Sequence, residues 1–407
     1  MNILYIAYSC DPYCGSEDKI GWNVPLEASK KHHVFVLTKE EHRENIMKYC
    51  NENGINNISF FFADINDIYK KVFRTPFYSG RLNIWHKKAF PIAKKICSEN
   101  EISIIHQVAP IEFRSIGKYY KIPNTKFICG PIAGGQNVPK SLSSYLGREK
   151  PLETVRKLIN QIYKIKIKFT GILKKCDCIL YANNETKEYL EPSSDRIVIP
   201  DTALTKSELS PIAEYSGSKD ECIFLAVSRF TATKGYNLLF DALKLIPDSL
   251  NFKLRIIGYG PLENEIKSLF ASDEKAMRHT EFLGKLPFSE MNSQYRSADV
   301  FVFPSFREAT GSVILEAMAN GIPVITENRC GGSVICSPEN SYLYSATTKE
   351  EYINNLSSAM LHCINNPDEV QKKGRAARIA ANGFTFEEKI KAYTIIYENQ
   401  NNKRCDI

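Results

Sequence analysis

No stretch of this chain approaches the roughly 18 uninterrupted apolar residues of a membrane-spanning helix, which argues against an integral membrane protein. The first residues, Asn2-Ile-Leu-Tyr-Ile-Ala-Tyr, carry no basic region ahead of their apolar run, and the run is too short for a secretory signal. Charge of one sign is scarce as well. Lys and Arg number 53 against 46 Asp and Glu, a formal +7 over 407 residues. That excess suits an anionic substrate or a lipid surface as well as it suits nucleic acid, and no nucleic-acid partner is expected. Zinc-ribbon spacing is missing from the twelve cysteines: Cys10 with Cys14 and Cys176 with Cys178 have no matching second pair. Most sit in apolar runs, as Cys129 and Cys222 do, where a reduced thiol behaves as a small hydrophobe; a reducing cytoplasm is the expected compartment. No Asp-x-Asp stands near a strand end in a nucleotide-binding context, so no metal ligand is assigned. No Gly-x-Gly-x-x-Gly follows residues 3–7, which argues against a nicotinamide dinucleotide site.

What is present is alternation. Short apolar runs expected as strands fall at 3–7, 34–37, 58–62, 102–108, 127–129, 178–181 and 197–199, with amphipathic segments between them. One such segment is 82–99, with Leu82, Trp85, Ala89, Ile92 and Ile96 along one side. The pattern restarts at 223–227 and continues at 254–257, 282–283, 300–303, 324–325 and 343–344. Buried continuous strands separated by helices predict α/β architecture with parallel sheets covered on both faces. The length predicts two such domains. The polar stretch 200–219, with Pro200, Ser207, Ser210, Pro211 and Gly217, marks the boundary. The expected division is 1–203 with 385–407 against 204–384.

The most informative segment is Phe303-Pro-Ser-Phe-Arg-Glu-Ala-Thr-Gly-Ser-Val-Ile-Leu-Glu-Ala-Met-Ala-Asn-Gly321. A strand runs into a turn carrying Glu308, and a helix expected from about Thr310 carries Glu316 and stops at Gly321. The small residues Ala309, Thr310, Gly311 and Ser312 let a ligand approach bare amides at a helix start, where partial positive charge favours phosphate or sugar hydroxyls. Glu308 and Glu316, with seven residues between them, resemble the two-glutamate motif of family 4 retaining glycosyltransferases. That resemblance implies a GT-B fold: two Rossmann-like domains with parallel sheets facing across a cleft, and a C-terminal helix crossing back to the first domain. It also implies that Glu308 meets the donor sugar, that the backbone of Ala309 to Ser312 meets sugar hydroxyls and diphosphate, and that Glu316 binds ribose.

Other motifs agree. Val227-Ser-Arg-Phe-Thr-Ala-Thr-Lys234 places Arg229 and Lys234 at a strand's carboxyl end, where guanidinium and ammonium can clamp a diphosphate. The pair is similar to the family's Arg-x4-Lys clamp. Gly258 and Gly260 form a strand-to-helix turn, with Pro261 suited to the first helical position. In the family that turn lies near the nucleotide, although a tight turn without ligand explains it as well. The segment 282–286, ending at Leu286, resembles the one whose backbone reads the base. In the first half, Gly15-Ser-Glu17 with Gly21-Trp22, and Gly130-Pro-Ile-Ala-Gly-Gly-Gln136 with its Gly134 and Gly135, look like a branch of the same family. They would approach donor or acceptor, while Ser16 can also read as a helix cap. Many relatives carry a histidine near the second of these runs, where this chain has Cys129 and Gly130. His106 is the nearest substitute for the cleft, and a satisfied core histidine is the competing assignment.

Residues 151–175 keep Leu152, Val155, Leu158, Ile159, Ile162, Phe169, Ile172 and Leu173 near helical spacing, with seven basic residues against the single acid Glu153. Such a segment either docks on an anionic membrane or packs its apolar face into the domain. The resemblance implies a metal-independent hexosyltransferase without cofactor. Its donor would be a nucleotide-diphosphate sugar, with a UDP-sugar leading, and its acceptor a saccharide or lipid-linked saccharide. Cell-surface polysaccharide assembly, in the cytoplasm or at the inner face of the membrane, is the expected setting. A sugar-nucleotide epimerase of the same fold and a non-catalytic nucleotide-sugar-binding protein are the alternatives. The first would interconvert sugar nucleotides without an acceptor, and the second would release no product.

Overall fold

The computed structural model describes residues 1–73, 77–191, 197–209, 211 and 221–402. Ser210 and Gly217 of the expected boundary lie outside them. Two compact units emerge. The first comprises 1–135, 152–203 and 386–407; the second comprises 136–151 and 204–385. Residues 136–151, assigned by the sequence to the first domain, therefore pack in the second. The reason is a small apolar set, Val138, Leu142, Tyr145 and Leu146, that buries with Phe230, Ala232 and Tyr236. Tyr145 also donates to Asp241 at 2.6 Å.

In the first unit, β1 (Asn2–Ala7), β2 (His33–Lys39), β3 (Ile58–Ala63), β4 (Ile104–Ala109), β5 (Lys126–Ile132) and β6 (Cys178–Tyr181) form one parallel sheet in the order β3-β2-β1-β4-β5-β6. Alternation along β1 explains its two faces. Leu4 and Ile6 pack beneath the helix Tyr78–Glu99 with Trp85 and Ala89. Ile3, Tyr5 and Ala7 pack on the other side with Trp22, from the helix Glu17–Ala28, and with Phe386, Tyr393 and Tyr397. The last three belong to the final helix Phe386–Asn402, which thus joins the first unit from the far end of the chain. Residues 197–199 form no strand; Val198 makes an isolated bridge to Tyr181.

The second unit repeats the plan. Its strands are β7 (Cys222–Val227), β8 (Phe252–Ile257), β9 (Thr280–Gly284), β10 (Val300–Phe303), β11 (Val324–Glu327) and β12 (Ser341–Tyr344). They lie parallel in the order β12-β11-β10-β7-β8-β9. Each sheet thus reverses direction beside its first strand, between β1 and β4 in one unit and between β7 and β10 in the other. Ligands of doubly wound sheets bind outside the carboxyl ends of strands at such reversals.

The helix Lys150–Thr170 turns its apolar stripe outward rather than into the domain. Packing, one of the two expectations for 151–175, holds only in part: Leu152, Val155, Leu158, Ile162 and Phe169 are exposed, whereas Leu173 is buried and Ile172 packs against the first unit's core. Among the described residues eleven cysteines are unbonded, and no helix is long and apolar enough to cross a membrane.

Candidate functional site

The second unit collects the expected donor residues at the carboxyl end of its sheet. After β7 the chain gives Ser228 and Arg229, a 3-10 turn Ala232–Lys234, then the helix Tyr236–Leu243. After β10 it gives the loop 304–311 and the helix Ser312–Ala319, two residues later than expected. The two loops are laced together. Thr233 carbonyl oxygen accepts from the Ser305 hydroxyl at 3.1 Å and from the Phe306 amide at 3.2 Å. Gly235, at φ 76°, sits so close that an added Cβ would lie 2.1 Å from the Pro304 carbonyl oxygen. No motif assigned this glycine a role, although it is what lets the loops meet.

That lacing brings Lys234 and Glu308 into an ion pair, both side chains about one-fifth exposed. The other Glu308 oxygen accepts from the Ala309 amide at 3.2 Å. Arg229 is exposed, and among the described residues its guanidinium has no partner. The site thus holds a neutralised pair and, on the same loop after β7, an exposed cation uncommitted among the described residues. Thr310 is buried, whereas Ala309, Gly311 and Ser312 are partly open. Glu316 lies in the second turn of its helix and accepts from the Tyr295 hydroxyl at 3.0 Å. Burial first, and then this carboxylate, hold the Tyr295 phenol well above its ordinary pKa.

Gly258, Gly260 and Leu286 follow β8 and β9 at the same end of the sheet. The Gly258 amide donates to the Gly284 carbonyl at 2.9 Å. A Cβ at Gly258 would lie 2.0 Å from the Ser228 carbonyl oxygen, and one at Gly260 would lie 2.6 Å from that of Phe230. Loop packing alone therefore accounts for both glycines. Pro261 precedes its helix, Glu263–Ala271, instead of opening it. Leu286 is half-buried against the core of β10 and the helix Ser312–Ala319.

The first unit treats its candidates differently. Gly15 is exposed in the loop after β1. Ser16, at φ 55°, makes no side-chain capping bond, so the cap assignment fails. Trp22 belongs to the core, stacked on Phe60 at 5.9 Å. The Gly134 carbonyl accepts from Asn160 at 2.9 Å and Arg156 at 3.1 Å, and the Gly135 amide donates to the Thr186 hydroxyl at 3.2 Å.

His106 is a core residue, and its assignment to the cleft is corrected. It is fully buried on β4, and burial pushes its pKa down to about 3. Its Nε2 donates to the Gly130 carbonyl at 2.8 Å, so the neutral ring's Nδ1 accepts from the Tyr397 hydroxyl at 2.6 Å. Tyr5 completes the chain with a 3.1 Å bond to Tyr397. Both ring nitrogens are thus spent, Nδ1 fastening the final helix to the sheet and Nε2 bonding the neighbouring strand β5.

One residue carries more than its motif suggested. Glu17 opens the helix after β1, at the reversal of the first sheet. Burial, with Glu112 and Asp201 nearby, raises its carboxyl to about 7. A carboxyl that keeps its proton near neutrality can donate to a sugar hydroxyl as well as accept from one. Carbon-13 NMR of the side chain is expected to show a midpoint near 7 that disappears in Glu17→Gln. An ordinary carboxylate midpoint near 4.5 would remove this residue from consideration.

Residues 212–378 match the family model described as glycosyl transferases group 1. The chain is 26% identical over 226 residues to the uncharacterized glycosyltransferase MJ1178 of Methanocaldococcus jannaschii, a stretch covering 52% of this chain and 61% of that protein. It is 32% identical over 131 residues to the GDP-mannose-dependent alpha-(1-6)-phosphatidylinositol monomannoside mannosyltransferase of Mycolicibacterium smegmatis, covering 30% and 33% respectively. These matches span less than two thirds of either relative. Among solved structures, Anabaena Alr3699/HepE in complex with UDP and glucose aligns over 97% of this chain and 99% of its own, with a TM-score of 0.59 and 14% identity. The two parallel six-stranded sheets and this likeness give the chain a GT-B fold.

Proposed function

We propose that this chain is a glycosyltransferase that moves a hexose or N-acetylhexosamine from a nucleotide-diphosphate sugar to a saccharide or lipid-linked saccharide, with retention of configuration. The observation that carries the reading is the Lys234–Glu308 pair, with the exposed Arg229 on the same loop after β7, at the carboxyl ends of β7 and β10 where the second sheet reverses. The family match over the same unit supports it.

Charge explains how the pair would work. An arriving diphosphate brings negative charge that Arg229 and Lys234 both attract. As Lys234 turns to phosphate, Glu308 loses its partner and becomes available to the sugar. The backbone of Ala309 to Ser312, Gly258, Gly260 and Leu286 would line the donor, and Glu316 would take the ribose hydroxyls. In the first unit, Gly15 is the candidate backbone contact, with Glu17 on the acceptor side, whereas the Gly135 amide and the Gly134 carbonyl are already bonded to neighbouring side chains. An acceptor hydroxyl attacks the anomeric carbon, forming the new C–O bond as the bond to the leaving phosphate breaks. The hydroxyl proton passes to a leaving phosphate oxygen on the same face. Arg229 and Lys234 meet the developing charge, so the reading requires neither metal nor cofactor.

The donor base is left to experiment. UDP is the first choice, supported by the UDP bound to the Anabaena protein; the mycobacterial relative is named for GDP-mannose. Calorimetric titration with UDP and with GDP should show one of them binding. Glu316→Ala should weaken that nucleotide by about tenfold to a hundredfold, the loss of a pair of charge-assisted hydrogen bonds. Unchanged affinity would remove Glu316 from the ribose, and binding of neither nucleotide would remove the donor reading itself. Assembly of cell-surface polysaccharide in the cytoplasm, with peripheral contact between 151–175 and an anionic membrane, completes the proposal.

A further inference from the structure

The helix Lys150–Thr170 meets its unit through a mixed face, with Glu153, Asn160 and Ile167 buried and Tyr163 packed on the core, and turns a second, apolar face to solvent. Glu153 is held by Arg156 at 3.0 Å, while Asn160 and Arg156 share the Gly134 carbonyl. The opposite face presents Leu152, Val155, Leu158, Ile162, Ile165 and Phe169, all exposed, Leu158 at 62% and Phe169 at 87%. Steps of three and four residues set these side chains in a single stripe. A continuous apolar stripe of this length in water marks a surface that something covers.

A second observation says what. Phe169, at the end of the stripe, also lines a cavity of about 930 Å³ inside the first unit, within the range of small-molecule sites. The cavity lies between this helix, the helix Tyr78–Glu99 and the loop after β4. Its apolar lining includes Phe90, Ile116 and Tyr163. Around it stand Lys87, Lys118, Lys121, Lys166 and Lys175, with no aspartate or glutamate in the lining. The remaining cation, Arg114, is already paired with Glu112. All five lysines are exposed, and among the described residues none makes an ion pair. Lys166 and Lys175 lie over the rings of Tyr163 and Tyr120 at 5.2 and 5.8 Å. An apolar hollow ringed by uncompensated ammonium groups, opening beside an apolar stripe, matches a molecule with a phosphate head and a hydrocarbon tail.

We propose that this face docks on a membrane leaflet containing anionic phospholipid, the stripe 152–169 lying in the interface. The cavity takes the phosphate and upper chain of one lipid molecule. The inference deepens the lipid-linked acceptor reading above and rests on it for the acceptor's chemistry, but lipid binding itself needs neither donor nor turnover.

Sedimentation with vesicles of phosphatidylcholine alone, and of phosphatidylcholine mixed with phosphatidylglycerol, tests it. The protein is expected on the mixed vesicles about tenfold or more above the neutral ones, with the difference falling at high salt. Lys118→Glu with Lys121→Glu, and separately Ile162→Ser with Phe169→Ser, should each lower partitioning by about tenfold or more. Circular dichroism and nucleotide binding should stay unchanged in both. For the cavity, soluble dihexanoyl phosphatidic acid should bind the wild type, lose binding in the double lysine variant, and resist competition by inorganic phosphate. Equal binding to both vesicle types, or variants that partition like wild type, would overturn the docking. Competition by phosphate as effective as by the lipid would make this a free-anion site and overturn the lipid assignment. Nucleotide binding without vesicle binding would leave the transferase reading standing alone. Vesicle binding without nucleotide binding would do the reverse.

Discussion

Replacing Glu308 by alanine is expected to reduce sugar transfer by about 10²–10³-fold, the scale on which single charge-positioning groups act in active sites. The loss should fall on kcat, with the donor nucleotide still bound within a few-fold of wild type. The ground for this split is the pairing in the ligand-free site. Glu308 is engaged by Lys234 on one oxygen and by the Ala309 amide on the other. Phosphate can replace the carboxylate at Lys234, so removing Glu308 does not cost the nucleotide its cation. Removing it does leave the sugar without the carboxylate that the motif supplies. Lys234→Ala should instead weaken nucleotide binding and turnover together, because the ammonium faces the leaving group in both states. The double variant should lose less than the sum of the two single losses, since contacting residues do not act independently. Initial rates at saturating donor, with calorimetry on each variant, decide the matter. Near-normal turnover in Glu308→Ala would end its catalytic assignment.

Acid should strip stability from the first unit through two histidines, His86 and His106. Both are fully buried, and burial pushes each pKa down to about 3, against about 6.5 in an unfolded chain. Between those values the unfolded state binds a proton that the folded state refuses. Each histidine therefore contributes stability that is complete above pH 6.5 and is lost as pH falls, at about 1.4 kcal/mol per pH unit. Glu17 acts in the opposite sense: raised to about 7, it takes up a proton on folding from there down to the ordinary carboxylate range. The two effects partly offset each other near pH 6, and the net loss should steepen below about pH 4.5, where Glu17 no longer contributes. Urea unfolding at a series of pH values should show this shape. His106→Gln should lower stability at pH 7 by about 1–3 kcal/mol, since it disturbs the Tyr5–Tyr397–His106–Gly130 chain. The same variant should flatten the acid slope by one histidine's share. An unchanged slope would mean that His106 is protonated in the folded protein.

Much of the fold was legible because parallel strands covered on both faces read as continuous apolar runs. Twelve of the thirteen expected runs became strands, and the exception, 197–199, contributes an isolated bridge from Val198 to Tyr181. The Arg229–Lys234 and Glu308–Glu316 segments could be found because strand, turn and helix start follow one another within a few residues of sequence. Their joining could not be read. It depends on Gly235 resting against Pro304, seventy residues away, and on a sheet order that places β10 beside β7. His106 misled for a related reason. A histidine on an apolar strand looks the same in sequence whether or not a tyrosine from the last helix waits to bond it.

Periodicities of two and 3.6 residues were enough to show the α/β class, the repeated plan and the order of strand, turn and helix, whereas the exact helix starts and the cap at Ser16 were not legible. Tertiary structure alone decided that 136–151 packs in the second unit, that Lys234 meets Glu308, and that the helix Lys150–Thr170 turns its apolar stripe to solvent. An amphipathic helix specifies two faces without specifying which one points inward. Here the Gly134 carbonyl bonded to Asn160 and Arg156, with Glu153 buried beside them and Ile167 seated in the core, turns inward the face that carries these residues.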